Sequence, residues 1–152
     1  MIVYRISLSK YTGELNSSGV ANRWNSQFQY VIYCSENISL CALELLAHTS
    51  GIRPTGEFKI LHIEIADAAK ITAVDVSQLP MDWFQLPGYP ITQKMGSEWY
   101  EAKLTLLMKV PSAIIQSEFN YIINTQHQDF IGQVKLVDAK DFFWDNRFPS
   151  SS

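Results

Sequence analysis

The sequence predicts an α+β fold: a single domain with a mixed β-sheet core and flanking helices. Three observations carry this reading. Short β-branched and aromatic runs recur along the chain, only two stretches have helical character, and strands and helices do not alternate as a doubly wound sheet requires. The 152 residues are one domain's worth, and a fold of that length hides roughly 70% of the surface its unfolded chain exposes.

The elements follow in order. Ile2 to Ser7 reads as a short strand, followed by a polar loop from Ser9 to Gln29 that carries Arg23-Trp24-Asn25. Tyr30 to Cys34 is β-branched and aromatic, a buried strand. Ser35 or Asn37 caps a helix over Ile38–Thr49, ended near Gly51. Phe58–Ile65 and Ile71–Val76 are strands, and Pro80 to Pro90 is a Pro- and aromatic-rich loop. Ser97 caps a second helix, with Glu98 and Glu101 near its positive end and an apolar stripe of Trp99, Ala102 and Leu106. That helix must stop before Pro111, because the residue preceding a proline resists the α region. Val110–Gln116, Tyr121–Asn124, Gln133–Val137 and Phe142–Trp144 complete the strands, and residues 149–152 read as a frayed tail.

Composition excludes several function classes. With 47% hydrophobic and 18% charged residues the chain is neither disordered nor of low complexity. A net charge of −3 without a basic run argues against direct nucleic-acid binding and against an anionic membrane surface. Arginine is scarce: Arg5, Arg23, Arg53 and Arg147. Cys34 and Cys41 form neither a disulfide framework nor a metal knuckle, and read as two buried thiols in a reducing compartment. The N-terminus lacks the pattern of a signal peptide, and no run reaches the ~18 apolar residues of a membrane span. A soluble, cytoplasmic protein is expected.

Glu44 is the most informative residue. It is the only charge in the apolar run Ile38–Ala47 and shares a face with Leu40, Leu43 and Ala47, so the helix reads as buried. A buried carboxylate needs a partner. Two readings stay open: a structural ion pair with an arginine, or a carboxylate facing a ligand in a cleft. Arg23-Trp24-Asn25 is the second candidate. It could bind phosphate or stack on a base, or be a loop anchored by its tryptophan with Arg23 on backbone carbonyls; the residues alone favour the anchored loop. Ser112, in Val110-Pro111-Ser112-Ala113, lacks a nucleophile elbow. His48, His62 and His127 have no metal-ligand spacing, Cys41 with His48 is a weak metal signal, and no glycine-rich phosphate loop occurs.

Several of these pieces, in order, resemble the RES domain family: Tyr4-Arg5-Ile6-Ser7, Gly19, Arg23-Trp24-Asn25, Val31 to Ser35, Ala42-Leu43-Glu44, Gly96-Ser97-Glu98-Trp99, Val110 to Ile114, Asn120 to Asn124, His127 to Phe130 and Asp145-Asn146-Arg147. The match spans Tyr4 to Phe148, so residues 1–148 are read as the domain, and the family's Arg, Glu and Ser fall on Arg23, Glu44 and Ser112. Many relatives have two glycines before the Arg-Trp-Asn; this chain has Val20-Ala21-Asn22, which implies a stiffer or differently placed loop.

The resemblance implies a fold similar to the ADP-ribosyltransferases and the toxin role of a bacterial type II toxin–antitoxin pair. It implies cleavage of the nicotinamide–ribose bond of NAD+, by phosphorolysis to nicotinamide and ADP-ribose-1″-phosphate, with hydrolysis or transfer of ADP-ribose to a protein as alternatives. A non-catalytic assembly module, with Glu44 neutralised by Arg23, is a further one. NAD+ enters as substrate and inorganic phosphate as co-substrate, without a resident cofactor or metal. The expected partner is a Xre-like helix-turn-helix antitoxin that occludes the site, and a homodimer within that complex is a further possibility. By the same resemblance Glu44 faces the ribose, Arg5 and Arg23 hold the pyrophosphate, Tyr33 stacks on nicotinamide or hydrogen-bonds the ribose, and Ser112 and Asn120 contact phosphate or ribose.

Overall fold

The computed structural model describes residues 1–151. Seven strands form one sheet: β1 (Ile2–Leu8), β2 (Val31–Ser35), β3 (Phe58–Ile65), β4 (Ile71–Ala73), β5 (Leu107–Pro111), β6 (Phe119–Asn124) and β7 (Val134–Phe142). Their order is β4-β5-β6-β2-β1-β3-β7. β4 and β5 run parallel and every other neighbouring pair antiparallel. With α1 (Ile38–His48), α2 (Tyr89–Ala102) and the short α3 (Phe130–Gln133), this is the α+β fold with a mixed sheet that the sequence predicts.

Strand alternation sorts the core onto two faces. Ile32, Leu107 and Ile123 belong to a cluster with Val3, Leu61 and Ile63. Their neighbours Val31, Met108 and Ile122 join Trp24, Trp83, Trp99 and Tyr100 in a second cluster, beneath α2 and the Arg23–Asn25 loop. A third cluster, Ile6, Cys41 and Phe58, seats α1 on β1 and β3.

The join between β1 and β2 positions the site. β1 pairs with β3 along its whole length and β2 with β6 along its whole length, but β1 and β2 share only the Tyr4–Ser35 pair. The halves β4-β5-β6-β2 and β1-β3-β7 therefore meet at one point. A cleft opens beside it, lined from β1 by Arg5 and Ile6 and from β2 by Val31, Tyr33, Cys34 and Ser35.

Several elements differ from expectation. Asn37 caps α1, its side chain accepting from the Leu40 amide at 2.8 Å, and Ser35 is left in β2. α1 is buried on one side only: Leu40, Cys41 and Leu46 are covered, whereas Leu43 is 40% exposed. α2 starts at Tyr89 rather than after Ser97, because Pro90 suits a first helical turn. It ends in a left-handed Lys103, so Leu106 lies beyond it and Ala102 faces solvent. The strand expected over Val110–Gln116 is β5, shifted toward the N-terminus, and the last two expected strands are the single β7, bulged near His62/Ile63 of its partner. The tail expected to fray is tied at the Pro149 carbonyl, which accepts from the Arg53 amide at 2.7 Å, and at Ser150, which bridges Arg53. Ser152 of that tail lies outside the described residues. Both cysteines are free and buried, as expected, and among the described residues no helix is long and apolar enough to cross a membrane.

Candidate active site

Glu44 projects from the half-exposed side of α1 between two adjoining hollows. One, of about 250 Å³, is lined by Arg5, Gly19, Asn22, Tyr33, Ser35, Cys41, Glu44, His48 and Asn120. The other, of about 360 Å³, is lined by Asn22, Arg23, Tyr33, Glu44, His48, Leu86, Tyr89 and Asn120. The shared residues Asn22, Tyr33, Glu44, His48 and Asn120 make them one cleft with the carboxylate in its middle.

The carboxylate is held by neutral donors. Oε1 of Glu44 accepts from Ser112 Oγ at 2.8 Å and from Asn120 Nδ2. Ser112 follows β5 and Asn120 sits in β6, so two neighbouring strands fix one oxygen. Among the described residues Glu44 forms no salt bridge with an arginine, and Oε2 takes no hydrogen bond. The ion pair between Glu44 and Arg23 is thus absent among the described residues, and the cleft-facing carboxylate is what the geometry provides.

Arg23 lines the second hollow together with Glu44. Its NH1 donates to the Trp83 carbonyl at 2.9 Å and its NH2 to the Phe84 carbonyl at 3.1 Å, and its guanidinium lies 5.2 Å from the Tyr89 ring centre. The carbonyl anchor that the residues alone favour is present, yet Arg23 also lines the cleft, so the two readings are compatible. A guanidinium has five N–H donors, and two are used here. Burial pulls its pKa below the usual range, while Tyr89, Glu44 and Tyr33 oppose that shift.

The loop that carries Arg23 is tightly built. Asn25, 1% exposed, donates through Nδ2 to the carbonyls of Val20, Ser26 and Gln29. Asn22 accepts from the Arg23 amide at 2.8 Å, and Gln93 of α2 donates to the carbonyls of Asn22 and Asn25. Ser97, expected as a cap, instead bonds Ser26 and Gln29 from inside α2. The Val20-Ala21-Asn22 segment leads into the turn closed by the Asn22–Asn25 bridge and is spanned by the Gly19 carbonyl accepting from the Phe28 amide at 2.7 Å, with Val20 exposed at the cleft edge.

Three residues expected to contact the substrate also hold the structure around the cleft. The Tyr33 hydroxyl donates to Asn25 Oδ1 at 2.7 Å and accepts from the Trp24 amide at 3.1 Å, so it is tied to the loop while the residue borders the cleft. Burial raises its pKa well above the ordinary value. Ser112 is fully buried; besides Glu44 it serves the amides of Ile114 and Ile115, and it lines neither hollow. Asn120 reaches the cleft, but its amide is engaged by Glu44 and by Ser35. Arg5 borders the cleft, with NH1 donating to the Asn16 carbonyl at 2.9 Å. Sequence reasoning missed Ser35, Asn22, His48 and Tyr89. The aromatic-rich run from Pro80 to Pro90 held the signal for Tyr89 but did not say which wall it joined.

The family model for the RES domain matches residues 2–145. The chain is 33% identical over 151 residues to a protein named Toxin Res from Photorhabdus laumondii, covering 97% of this chain and 96% of that one. It is 29% identical to a Toxin Res from Yersinia enterocolitica, covering 97% and 99%. A protein from Sphingobium named Prs ADP-ribosylating toxin is 30% identical over 128 residues, covering 82% and 78%. With Arg23 and Glu44 lining one cleft, Ser112 holding the Glu44 carboxylate, and the family match spanning the fold almost end to end, the chain belongs to the RES domain family.

Proposed function

We propose that this chain is a toxin of the RES type that cleaves the nicotinamide–ribose bond of NAD+. The observation that carries the reading is the Glu44 carboxylate: one oxygen is fixed by Ser112 and Asn120, the other takes no hydrogen bond, and the residue lines a hollow that it shares with Arg23. When the glycosidic bond breaks, its electron pair goes to the nicotinamide nitrogen, which leaves neutral and needs no acid. Positive charge builds on the ribose, and a fixed anion beside it lowers the barrier. Arg5 and Arg23 line the two parts of the cleft and serve the pyrophosphate. A phosphate oxygen then attacks the anomeric carbon, giving ADP-ribose-1″-phosphate.

A second reading, transfer of ADP-ribose to a protein, is favoured by the name of the Sphingobium relative. The relatives named Toxin Res support a toxin–antitoxin setting. There the chain acts in the cytoplasm, with a Xre-like helix-turn-helix antitoxin covering the cleft, a homodimer as an assembly option, and any DNA contact made by the partner.

The test is to incubate purified protein, free of any antitoxin, with NAD+ with and without phosphate and to follow nicotinamide. Phosphate-dependent release supports phosphorolysis, phosphate-independent free ADP-ribose supports hydrolysis, and labelling of an acceptor protein supports transfer. Glu44→Ala and Arg23→Ala should each abolish release and growth inhibition while the protein still folds. No turnover by the wild-type protein sinks all three enzymatic readings.

A further inference from the structure

The support of Glu44 extends one residue beyond Asn120, to Ser35, which itself lines the first hollow. Asn120 Nδ2 donates to Glu44 Oε1, and Asn120 Oδ1 accepts from Ser35 Oγ at 2.7 Å. We propose that Ser35 is a positioning residue for the reaction, acting through the Asn120 amide on Glu44. This rests on the reading of Glu44 as the carboxylate that faces the ribose.

An asparagine amide has two orientations of nearly the same shape but opposite polarity. Only the orientation with Nδ2 toward Glu44 donates; the other sets a carbonyl oxygen against a carboxylate. A hydroxyl that donates to Oδ1 favours the productive orientation and strengthens the Nδ2 bond by polarising the amide. Ser35 is suited to this. It is 3% exposed, and from β2 it stands directly opposite Asn120 of β6 in the register of the two strands. It is also the β2 member of the Tyr4–Ser35 pair, the single register point between the two halves of the sheet. The hydroxyl is thus built into the vertex of the cleft, on backbone fixed from both sides. The chain Ser35–Asn120–Glu44 ties the direction of the carboxylate to the place where the cleft begins. Without the hydroxyl, Oδ1 is an acceptor lacking its partner, and the amide turns away to find another, taking Nδ2 with it.

The experiment is a double-mutant cycle with steady-state NAD+ kinetics on the full chain: Ser35→Ala, Asn120→Ala and the pair, with Ser35→Thr as the conservative variant. Ser35→Ala should lower kcat by about ten-fold or more with KM within about threefold, because it misdirects a group without removing a substrate contact. Ser35→Thr, which keeps the hydroxyl, should recover most of kcat. In the Asn120→Ala background Ser35→Ala should cost nothing further, since the intermediary is gone. Additive losses in the cycle, a rise in KM alone, or equal losses for Ala and Thr would overturn the positioning role. So would wild-type kcat in Ser35→Ala, with the reading of Glu44 left standing. No turnover by the wild-type protein overturns both.

Discussion

Gly96 offers a perturbation whose size can be worked out from contacts. It lies on the side of α2 that meets the Arg23–Asn25 loop. A Cβ added there would sit 1.8 Å from the Trp24 carbonyl oxygen, 2.5 Å from its carbonyl carbon and 2.9 Å from its Cα. Carbon and oxygen approach comfortably only to about 3.3 Å, so α2 and the Trp24 peptide must part by about 1.5 Å. The obstacle is backbone, which has no rotamer to yield. Trp24 is 3% exposed, and Gln93 and Ser97 bind the loop to the same helix, so the displacement passes into Arg23 next door. Overpacking of this kind costs about 1–3 kcal/mol, and a misplacement of about 1 Å at a catalytic group costs about a hundredfold in rate. Gly96→Ala should therefore unfold several degrees lower in a thermal melt and lose about two orders of magnitude in nicotinamide release. A variant with wild-type melting and turnover would show that α2 does not set the position of Arg23.

Other consequences follow from the same contacts. Ser112→Ala removes one of two donors to Glu44 and leaves the Ile114 and Ile115 amides without their acceptor. It should cost about 1–3 kcal/mol in urea unfolding together with at least a tenfold loss of kcat; unchanged urea unfolding refutes its role as a support. Tyr33→Phe removes the hydroxyl shared by Asn25 and the Trp24 amide and should raise the KM for NAD+ by loosening the Arg23 loop. An unaltered KM would mean the loop is held without it. Burial pushes the thiols up from their ordinary 9.0, to about 12 for Cys34 and about 11 for Cys41. The unfolded chain ionises first, so above pH 9 it binds fewer protons than the folded one. The contribution is complete below pH 9 and is lost as pH rises toward 11, at up to about 1.4 kcal/mol per pH unit per thiol. The urea midpoint should fall from pH 8.5 to 10.5 by less when both cysteines are replaced by alanine; equal falls would contradict this.

What could be read from the sequence was set by local chemistry. β2 and β6 are rich in Val, Ile, Tyr and Phe, β3 sets Ile60, Leu61, Ile63 and Ile65 between polar residues, and the Asn37 cap with Gly51 beyond brackets α1. Glu44 stood out because a lone carboxylate in an apolar run needs an explanation. The identity of its partners was not legible: Ser112 and Asn120 lie 68 and 76 residues away, and only the β5–β6–β2 register brings them to one oxygen. The start of α2 was missed because Tyr89-Pro90 looks like the end of a loop until Pro90 is seen to fit a first turn. Ser97, a good cap by type, serves as a hydrogen-bonding peg because the helix had already begun. The sequence does not show that the Tyr33 hydroxyl bonds Asn25 and the Trp24 amide, because those contacts depend on how the Arg23 loop folds back against β2.

The most direct test is the release of nicotinamide from NAD+ by wild-type protein and Glu44→Gln, each with and without phosphate. Glutamine keeps the shape of the side chain and removes its charge, so the loss isolates electrostatic support of the ribose. Phosphate-dependent release by the wild type, with Glu44→Gln folded but slower by at least about a hundredfold, is the predicted result. Wild-type release unaffected by Glu44→Gln would contradict the role given to the carboxylate.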